Sequence, residues 1–321
     1  MEEVIDITVL MPAFNAADYI GEAIASVLAQ SFTGFELLIV DDGSTDETRN
    51  IIKSFSDNRI KLVAQQNTGV AGALNTGLQH ATGKYIARFD ADDICNSERL
   101  SIQYQFMESH PQYVICGSDA EYIDMFGAFV FNYHCVAYTH EKIISLPYHT
   151  CPFIHSSTFF RKDAVIREGC YDIHAHGFED HFLWKKILRK ARGANIDKAL
   201  VQVRLNPTSI TNDRQFQPRQ YRQLKGKILT QDTILPEQGG LLKQGMDVNR
   251  QLSQQAYYTL LAKKYLWNNY QPKKARENLY KSGINGNRSL YNSLLFLLSF
   301  LPFPLLRRLY KLKKKNSRYA Y

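Results

Sequence analysis

Residues 85–93 read Tyr85-Ile86-Ala87-Arg88-Phe89-Asp90-Ala91-Asp92-Asp93, an apolar run that ends in three carboxylates. Successive side chains of a strand point to opposite faces. Both faces of this run carry apolar residues, which predicts a strand buried on both sides. Carboxylates packed this closely repel one another and need a cation, hydrogen-bond donors or open water. Because Mg²⁺ and Mn²⁺ prefer hard oxygen ligands, the stretch predicts a metal site for a phosphorylated ligand. The alternative is a solvated acidic turn that caps the next helix.

Three further apolar runs precede this stretch and alternate with helical patterns. Asn15 and Asp18 are candidate caps for the first helix, and Ser44 with Glu47 has the capping-box spacing for the second. Strands that alternate with helices in this way predict an α/β fold with a mostly parallel sheet flanked by helices. The three predicted strands are Ile7–Met11, Phe35–Val40 and Ile60–Val63.

Polar side chains follow three of the four predicted strands at the point where each strand ends. Asn15 follows the first strand, Asp41 and Asp42 end the second, and Asp90 and Asp92 end the fourth. Parallel strands bring these positions to one edge of the sheet, where ligands of such folds bind. The convergence therefore favours a ligand site over a capping turn. The chain has no P-loop and no Gly-x-Gly-x-x-Gly motif, so the site is predicted to hold phosphate largely through a metal.

The charge distribution separates the body of the chain from its tail. The 321 residues carry 39 Lys+Arg and 31 Asp+Glu, a net charge of +8. Seven of these cations lie after residue 306, and without them 39 − 7 = 32 cations face 31 acids. A nearly neutral body argues against a nucleic-acid-binding protein. The five cysteines lack a Cys-x-x-Cys pair, and no signal peptide is visible, so we expect reduced thiols in a cytoplasmic protein.

Four motifs stand in a fixed order in the first third of the chain. They are Met11-Pro12-Ala13-Phe14-Asn15, Val40-Asp41-Asp42-Gly43-Ser44-Thr45-Asp46, the segment from Asn67-x-Gly69 to Asn75-x-Gly77, and Phe89-Asp90-Ala91-Asp92-Asp93. Together they resemble the amino-terminal half of a glycosyltransferase family 2 enzyme of the GT-A fold. The resemblance weakens after this region and extends to about residue 215.

The resemblance implies a role for each matching residue. Asp41 is implied to contact the base of the nucleotide, uracil in a UDP-linked donor, and Asp90 is implied to lie near the ribose. Asp92 is implied to bind Mg²⁺ or Mn²⁺ that bridges the diphosphate. The implied nucleotide-binding set is Pro12, Ala13, Asn15, Asp41, Asn75, Asp90 and Ala91.

The pair Glu179-Asp180 follows Gly177 and precedes apolar residues at helical spacing. An acid at a helix start is favoured by the helix dipole alone, which gives a structural interpretation of Asp180. In family 2 enzymes an acidic pair at this distance supplies the catalytic base, so the resemblance implies that Asp180 is the base of an inverting reaction. His155 has two interpretations, a contact to the donor phosphate or acceptor and a structural polar residue.

The implied activity is transfer of a sugar from a nucleoside-diphosphate sugar to an acceptor hydroxyl, in surface polysaccharide or glycan assembly. A nucleotide-sugar pyrophosphorylase would share the α/β layout and the metal. Such enzymes usually carry a Gly-rich basic loop after the first strand, where this chain has Pro12-Ala13-Phe14-Asn15. A non-catalytic nucleotide-sugar binder is the third alternative, and the intact Asp90, Asp92 and Asp180 argue against it.

Three regions are predicted along the chain. Residues 1–215 form the GT-A domain, with a nucleotide-binding half (1–117) and an acceptor half (118–215), and residues 216–288 form a helical extension. Residues 289–321 are an apolar and basic tail in which Pro302 and Pro304 interrupt the apolar stretch. We expect this tail to hold the protein on the cytoplasmic face of an anionic membrane, near a lipid-linked acceptor. The alternative is a terminal helix packed on the body with a solvated end.

Overall fold

The computed structural model describes residues 5–207, 219–247, 253–283 and 290–316. The chain divides into two compact units. The first contains residues 1–120, 133–203 and 223–243, and the second contains residues 121–132, 204–222 and 244–321. The predicted domain boundary near residue 215 lies outside the described residues.

The first four strands are parallel, as the sequence predicts. The sheet order at this end is β3-β2-β1-β4, and β1 pairs in register with β2 over its whole length, from Ile7 opposite Phe35 to Ala13 opposite Asp41. The strands are β1 (Ile7–Ala13), β2 (Phe35–Asp41), β3 (Ile60–Ala64) and β4 (Tyr85–Arg88), and the intervening helices are α1 (Ile20–Leu28), α2 (Thr48–Ser54) and α3 (Val70–His80).

The rest of the nine-stranded sheet contains antiparallel pairs. Beyond β4 the order is β8-β6-β9-β5, with β7 beside β6, and the pairs β4–β8, β8–β6 and β9–β5 are antiparallel. These elements are β5 (Ile94–Cys95), α4 (Arg99–Ser109), β6 (Tyr113–Ile123), β7 (Phe129–Tyr133), α5 (His140–Ile144), a 3₁₀ turn (His155–Ser157), β8 (Phe159–Arg161), α6 (Lys162–Arg167), α7 (Glu179–Leu188) and β9 (Arg192–Arg204). The α/β fold with a sheet flanked by helices is confirmed.

The close packing of α3 on β1 depends on a small residue. A Cβ atom added to Gly77 would lie 2.1 Å from Cδ1 of Leu10, so only glycine allows this approach. Leu10, Leu38 and Leu74 are buried in the same apolar cluster. Burial of such side chains stabilises each by about 1.5–3 kcal/mol. This packing fixes the strand ends that carry the polar residues.

Several local predictions are wrong. The run Pro152–Arg161, rich in apolar and β-branched residues, predicts a strand, but only its last three residues form β8 and a 3₁₀ turn precedes them. The segment Val201–Arg204 is predicted as an edge strand, whereas it belongs to the longer β9, which lies between β6 and β5. The predicted helix caps are also absent, because α1 and α2 have no side-chain cap hydrogen bond.

The remaining elements of the described residues are helices. They are α8 (Arg219–Gln231), α9 (Pro236–Asp247), α10 (Ser253–Trp267), α11 (Pro272–Lys281), α12 (Leu290–Leu298) and α13 (Phe303–Asn316). Apolar residues at helical spacing up to Trp267 and a new helix start at Pro272 predict a helical hairpin, which α10 and α11 confirm. The predicted tail contains α12 and α13, which are separated around Pro302. Its ends, Ser289 and residues 317–321, lie outside the described residues. None of the helices in the described ranges is long and apolar enough to cross a membrane.

Candidate active site

The loops after β1 and β2 are tied together by hydrogen bonds. Asn15 has φ +49°, and its Oδ1 accepts a hydrogen bond from the backbone N–H of Thr45 at 2.8 Å. Its own N–H donates to Oγ of Ser44 at 3.0 Å. The side chains predicted to cap two helices therefore join two strand ends instead. Pro12 and Ala13 lie on β1 beside Val40 and Asp41 of β2, so the predicted nucleoside-binding residues of both strands are neighbours.

Asp41 is the last residue of β2 and is fully buried. One oxygen accepts from the N–H of Ser44 at 2.9 Å and the other from Nε of Arg49 at 2.7 Å. Burial alone would raise the pKa of Asp41, but the hydrogen bonds of Ser44 and Arg49 outweigh it and lower that pKa. Asp41 is thus held as a carboxylate, and its contact with a nucleotide base stays a prediction.

Asp42 organises the next loop. Its Oδ1 accepts hydrogen bonds from the N–H of Thr68 at 2.9 Å and from Nε2 of Gln65 at 2.7 Å. Its Oδ2 accepts from the N–H of Gly69 at 2.8 Å. These contacts fix the start of α3, which carries Asn75, against the end of β2.

Three carboxylates cluster after β4. Asp90, Asp92 and Asp93 each offer an oxygen, and these oxygens lie within 4.8 Å of one another. The N–H of Asp90 donates to Oγ of Ser156 at 3.2 Å, and its carboxylate pairs with the guanidinium of Arg88. A set of hard oxygen ligands at this spacing fits Mg²⁺ or Mn²⁺.

The acidic pair lies at the start of α7. Oδ1 of Asp180 accepts from the N–H of His181 at 2.6 Å, and Oδ2 accepts from the thiol of Cys151, 3.6 Å away. Burial raises the pKa of both Glu179 and Asp180, and the negative charge of Asp180 raises the pKa of Glu179 further. Oε2 of Glu179 is buried and has no hydrogen-bond partner among the described residues. Because Asp180 is more exposed, the structure places a proton more readily on Glu179 and leaves Asp180 as the accessible carboxylate.

His155 and Asn75 meet at Tyr171. The ring Nε2 of His155 lies 3.1 Å from the hydroxyl of Tyr171. Asn75 donates from Nδ2 to the carbonyl of Tyr171 at 2.8 Å and accepts from its N–H at 2.9 Å. Burial and the nearby charge of Arg88 lower the pKa of His155 well below its usual range, so His155 is neutral. Asn75 thus holds the Tyr171 loop, and a direct nucleotide contact of Asn75 stays a prediction.

The structure adds four residues that the sequence did not single out as site residues: Arg88, Cys151, Tyr171 and Lys225. The positive charges of Arg88 and Lys225 lower the pKa of both Glu179 and Asp180. A charged side chain within a strand that is buried on both faces is unusual, and this sequence feature could have identified Arg88 as a site residue. The other three come from loops and a helix distant in sequence, where no local pattern marks them.

The α/β fold is of the GT-A type, and the comparisons with known proteins identify the chain as a transferase. Residues 8–169 match the family model described as glycosyl transferase family 2. The chain belongs to this family. It is similar to the putative glycosyltransferase EpsE of Bacillus subtilis, with 34% identity over 205 residues that cover 62% of this chain and 72% of that protein.

Two further comparisons concern relatives that the chain covers less completely. It spans about a third of the length of an uncharacterized glycosyltransferase of Rickettsia conorii, with 33% identity over 62% of this chain and 33% of that protein. It is also similar to a UDP-Glc:alpha-D-GlcNAc-diphosphoundecaprenol beta-1,3-glucosyltransferase, WfgD, of Escherichia coli. That match has 43% identity over 102 residues, 32% of this chain and 40% of that protein.

Solved structures share the fold at low identity. S. aureus TarS 1-349 in complex with UDP-GlcNAc superposes with a TM-score of 0.56 and 17% identity, covering 96% of this chain and 92% of that chain. The mannosyltransferase PcManGT from Pyrobaculum calidifontis, in complex with GDP-Man and Mn²⁺, gives a TM-score of 0.53 and 17% identity, covering 98% and 88%.

Proposed function

We propose that the protein transfers a hexosyl or N-acetylhexosaminyl group from a UDP-sugar to an acceptor hydroxyl, with inversion, in surface polysaccharide assembly. The observation that carries this proposal is that one compact unit contains both the carboxylate cluster after β4 and the acidic pair Glu179-Asp180 at the start of α7. Arg88 forms an ion pair with Asp90, and its charge lowers the pKa of both Glu179 and Asp180. Sugar transfer requires one group of residues for the donor diphosphate and another for the acceptor proton.

The donor half of the proposal rests on the strand ends. Asp92, beside Asp90 and Asp93, would hold Mg²⁺ or Mn²⁺, which when bound neutralises the charge of a leaving diphosphate. The nucleoside would lie against the tied loops after β1 and β2. TarS supports a UDP-sugar, because its complex contains UDP-GlcNAc. The residues proposed to line the nucleotide are Pro12, Ala13, Asn15, Asp41, Asn75, Asp90 and Ala91.

The acceptor half rests on Asp180. Its carboxylate would take the proton of the acceptor hydroxyl as the bond from that oxygen to the anomeric carbon forms and the bond to the diphosphate breaks. Attack on the face opposite the leaving group inverts the anomeric centre. Glu179 is more deeply buried, and burial together with the charge of Asp180 raises the pKa of Glu179.

The decisive experiment measures the products of the full-length chain with UDP-Glc and UDP-GlcNAc, Mn²⁺ and a lipid-linked sugar acceptor. Release of UDP with sugar transfer supports the proposal. Exchange of pyrophosphate into the nucleotide sugar would identify a pyrophosphorylase instead. Donor binding by calorimetry without any turnover over a panel of acceptors would favour a non-catalytic binder.

We also propose that the second unit binds the cytoplasmic surface of an anionic membrane. On α12, Leu290, Leu294 and Leu297 lie on one helical face and are 90%, 52% and 66% exposed. Phe300 and Phe303 continue this exposed apolar surface, and the exposed Arg307 and Arg308 follow it. Apolar side chains beside cations suit a membrane interface that carries negative charge. WfgD supports a lipid-linked acceptor, since its name gives a diphosphoundecaprenol substrate.

A further inference from the structure

Tyr171 is a buried residue in the loop between α6 and α7. It is 2% exposed, and the two residues before it, Gly169 and Cys170, have φ of +87° and +63°. A residue with a side chain, such as Cys170, is strained in this region of φ and persists there only where the surrounding structure fixes it. The fold therefore holds Tyr171 in its buried position despite strain in the backbone that leads to it.

Asn75 holds the backbone of Tyr171 on both sides. Its Nδ2 donates to the carbonyl of Tyr171 at 2.8 Å, and its Oδ1 accepts from the N–H of Tyr171 at 2.9 Å. Asn75 lies on α3, whose start is fixed by hydrogen bonds from the N–H groups of Thr68 and Gly69 to Asp42. Because one amide satisfies both backbone polar groups of Tyr171, this residue is attached to the donor side of the candidate site.

The side chain of Tyr171 extends this connection to α7. Its ring lies edge-to-face against the ring of Trp184, with 6.1 Å between the centroids and 76° between the planes. This is a favoured geometry for a pair of aromatic rings. The hydroxyl of Tyr171 lies 3.1 Å from Nε2 of His155 in the 3₁₀ turn. Tyr171 therefore contacts three separate segments, which are α3, the 3₁₀ turn and α7.

Trp184 has no hydrogen bond that fixes its indole ring. It is fully buried, and its Nε1 has no hydrogen-bond partner among the described residues. Four rings lie within 6.3 Å of it between centroids, those of Phe153, His155, Phe160 and Tyr171. Trp184 lies one turn after Asp180 on α7, and residues at this spacing share a face of the helix. A shift of the Trp184 ring therefore moves the part of the helix that carries Asp180.

We propose that Tyr171 is a positioning residue, a strut between α3 and α7 that sets the distance between the donor nucleotide and Asp180. The catalytic part of this inference rests on the proposed function, because it takes Asp180 as the base. The strut itself does not, since its contacts are properties of the folded protein. A displacement of about 1 Å at the reacting atoms can lower a rate about 100-fold, so such a strut has a measurable effect on catalysis.

The first measurement separates kcat from donor binding. Tyr171→Leu removes the ring that contacts Trp184, so kcat should fall about 100-fold. The Kd of UDP with Mn²⁺ should keep its wild-type value, because the backbone groups that Asn75 binds are retained. Tyr171→Phe loses only the hydroxyl and keeps the ring, so it should restore kcat to near the wild-type value. A rise of the Kd in Tyr171→Leu at unchanged kcat would contradict a positioning role toward Asp180.

Tyr85 provides a matched control. It is also a fully buried tyrosine of the same unit, and its hydroxyl donates to Glu108 at 2.6 Å. Its ring packs against those of Tyr104 and Phe159, and none of the ring pairs of the described residues joins it to α7. Tyr85→Leu should therefore lower the Tm as Tyr171→Leu does and leave kcat near the wild-type value.

The second measurement needs no activity. The chain has two tryptophans, so Trp267→Phe leaves Trp184 as the single fluorescent tryptophan. In that background Tyr171→Leu should increase the quenching of Trp184 by acrylamide and shift its emission to longer wavelength, because the indole loses a packed neighbour. Asn75→Ala should cause a similar change from α3, and Tyr85→Leu should cause none.

The double variant Asn75→Ala with Tyr171→Leu should change the Trp184 fluorescence no more than Tyr171→Leu alone, because both substitutions break the same connection. Additive changes would contradict the strut. If the wild-type protein transfers no sugar, the proposed function fails, while the fluorescence of Trp184 still decides whether the strut exists.

Two further results would overturn the inference. One is a kcat that falls no further in Tyr171→Leu than in Tyr85→Leu at an equal loss of Tm, which would make Tyr171 an ordinary residue of the core. The other is an unchanged Trp184 fluorescence in Asn75→Ala, which would show that α3 has no effect on α7 through Tyr171. If Tyr171→Leu does not fold, the fluorescence of Asn75→Ala decides alone.

Discussion

The thiol of Cys151 lies 3.6 Å from Oδ2 of Asp180, and its sulfur is 3.4 Å from the carbonyl oxygen of Phe153. Burial raises the pKa of Cys151 well above its usual value, and the charge of Asp180 raises it further. The sulfur therefore keeps its single proton, for which the carbonyl of Phe153 and the carboxylate of Asp180 are the two acceptors. A donor to a carboxylate stabilises its charged form.

Removing this donor should make Asp180 harder to ionise. In Cys151→Ala we expect the acidic limb of the kcat profile to move to higher pH by about half a unit, the effect of one weak hydrogen bond. Cys151→Ser keeps a donor and should retain the wild-type limb. Cys170→Ala is the control, because Cys170 is a half-buried thiol of the same unit whose pKa is raised by burial alone. An equal shift of the acidic limb in Cys151→Ala and Cys170→Ala would contradict a specific effect of the Cys151 thiol on Asp180.

The two acids of the pair should differ in their effect on catalysis. Asp180→Asn keeps the size of the side chain but cannot accept the acceptor proton, so sugar transfer should fall at least a thousandfold, at the strong end of general-base effects of about 10²–10⁴. Glu179→Gln should retain measurable transfer, because Glu179 is buried and burial raises its pKa to about 7, which disfavours its charged form. Both variants should bind UDP with wild-type affinity in calorimetry. Wild-type turnover in Asp180→Asn with loss in Glu179→Gln would identify Glu179 as the base.

Asp92 should link donor binding to the metal. We expect Asp92→Asn to weaken UDP binding in the presence of Mn²⁺ by about tenfold or more, because a neutral amide is a poorer ligand for a hard cation. EDTA should weaken UDP binding by the wild-type protein to a similar level. Asp163→Asn, which removes an exposed acid paired with Arg167 on α6, serves as the control and should leave the Kd unchanged. Equal affinity of the wild-type protein with Mn²⁺ and with EDTA would exclude the proposed metal dependence.

The parallel half of the fold could be predicted because its signals are local. β1, β2 and β4 are short apolar runs, and burial on both faces makes such runs recognisable, whereas the edge strand β3 is only partly buried. The polar strand ends could be predicted for the same reason, since Asp41 and Asp90 follow these runs directly. Parallel pairing places these strand ends at one edge of the sheet, so their proximity follows from the strand prediction alone.

The rest of the site depends on contacts between distant segments. Asn75 and Tyr171 are 96 residues apart, and nothing near Asn75 indicates that its amide holds another backbone segment. The prediction of a strand over the whole of Pro152–Arg161 is wrong for a related reason. Its apolar residues Phe159 and Phe160 pair with β4 and β6, but Ser156 is used to bind the N–H of Asp90 within a turn. Such tertiary hydrogen bonds override local strand propensity.

Glu36 gives a prediction about stability and pH. This buried carboxylate on β2 accepts hydrogen bonds from Thr8 and Thr82 and forms an ion pair with Lys61. Burial alone would raise the pKa of Glu36, but these partners outweigh it and lower the pKa below 4.5. A pKa that is lower in the folded state stabilises the protein above the unfolded value, and this stabilisation is lost as the pH falls through the folded value.

We therefore expect Glu36→Gln to lower the free energy of unfolding at pH 7 by about 1–3 kcal/mol. The difference from wild type should shrink as the pH falls below about 4.5. Urea denaturation at pH 7 and near pH 3 measures this difference, with Glu98→Gln, at an exposed position, as the control. A wild-type advantage of constant size at both pH values would mean that the charge of Glu36 is not the source of its contribution.

The exposed apolar surface of α12 gives a prediction about membranes that does not depend on catalysis. Leu294→Glu together with Leu297→Glu should greatly reduce flotation of the protein with anionic vesicles, because both side chains are exposed and charges there disfavour insertion into the interface. The matched control is Leu241→Glu, a leucine of α9 that is 59% exposed and lies in a different part of the chain. It should float like the wild-type protein.

The cations after this surface should contribute a separate, salt-sensitive part of the binding. Arg307→Gln with Arg308→Gln removes two exposed charges, worth roughly 2 kcal/mol together near an anionic surface, so the vesicle affinity should fall at least tenfold at low salt. The difference between this variant and wild type should narrow in high salt, because screening removes the same attraction. The leucine variant should bind weakly at every salt concentration. Equal flotation of wild type and both variants on anionic vesicles would contradict a membrane surface at α12 and favour a solvated end of the chain.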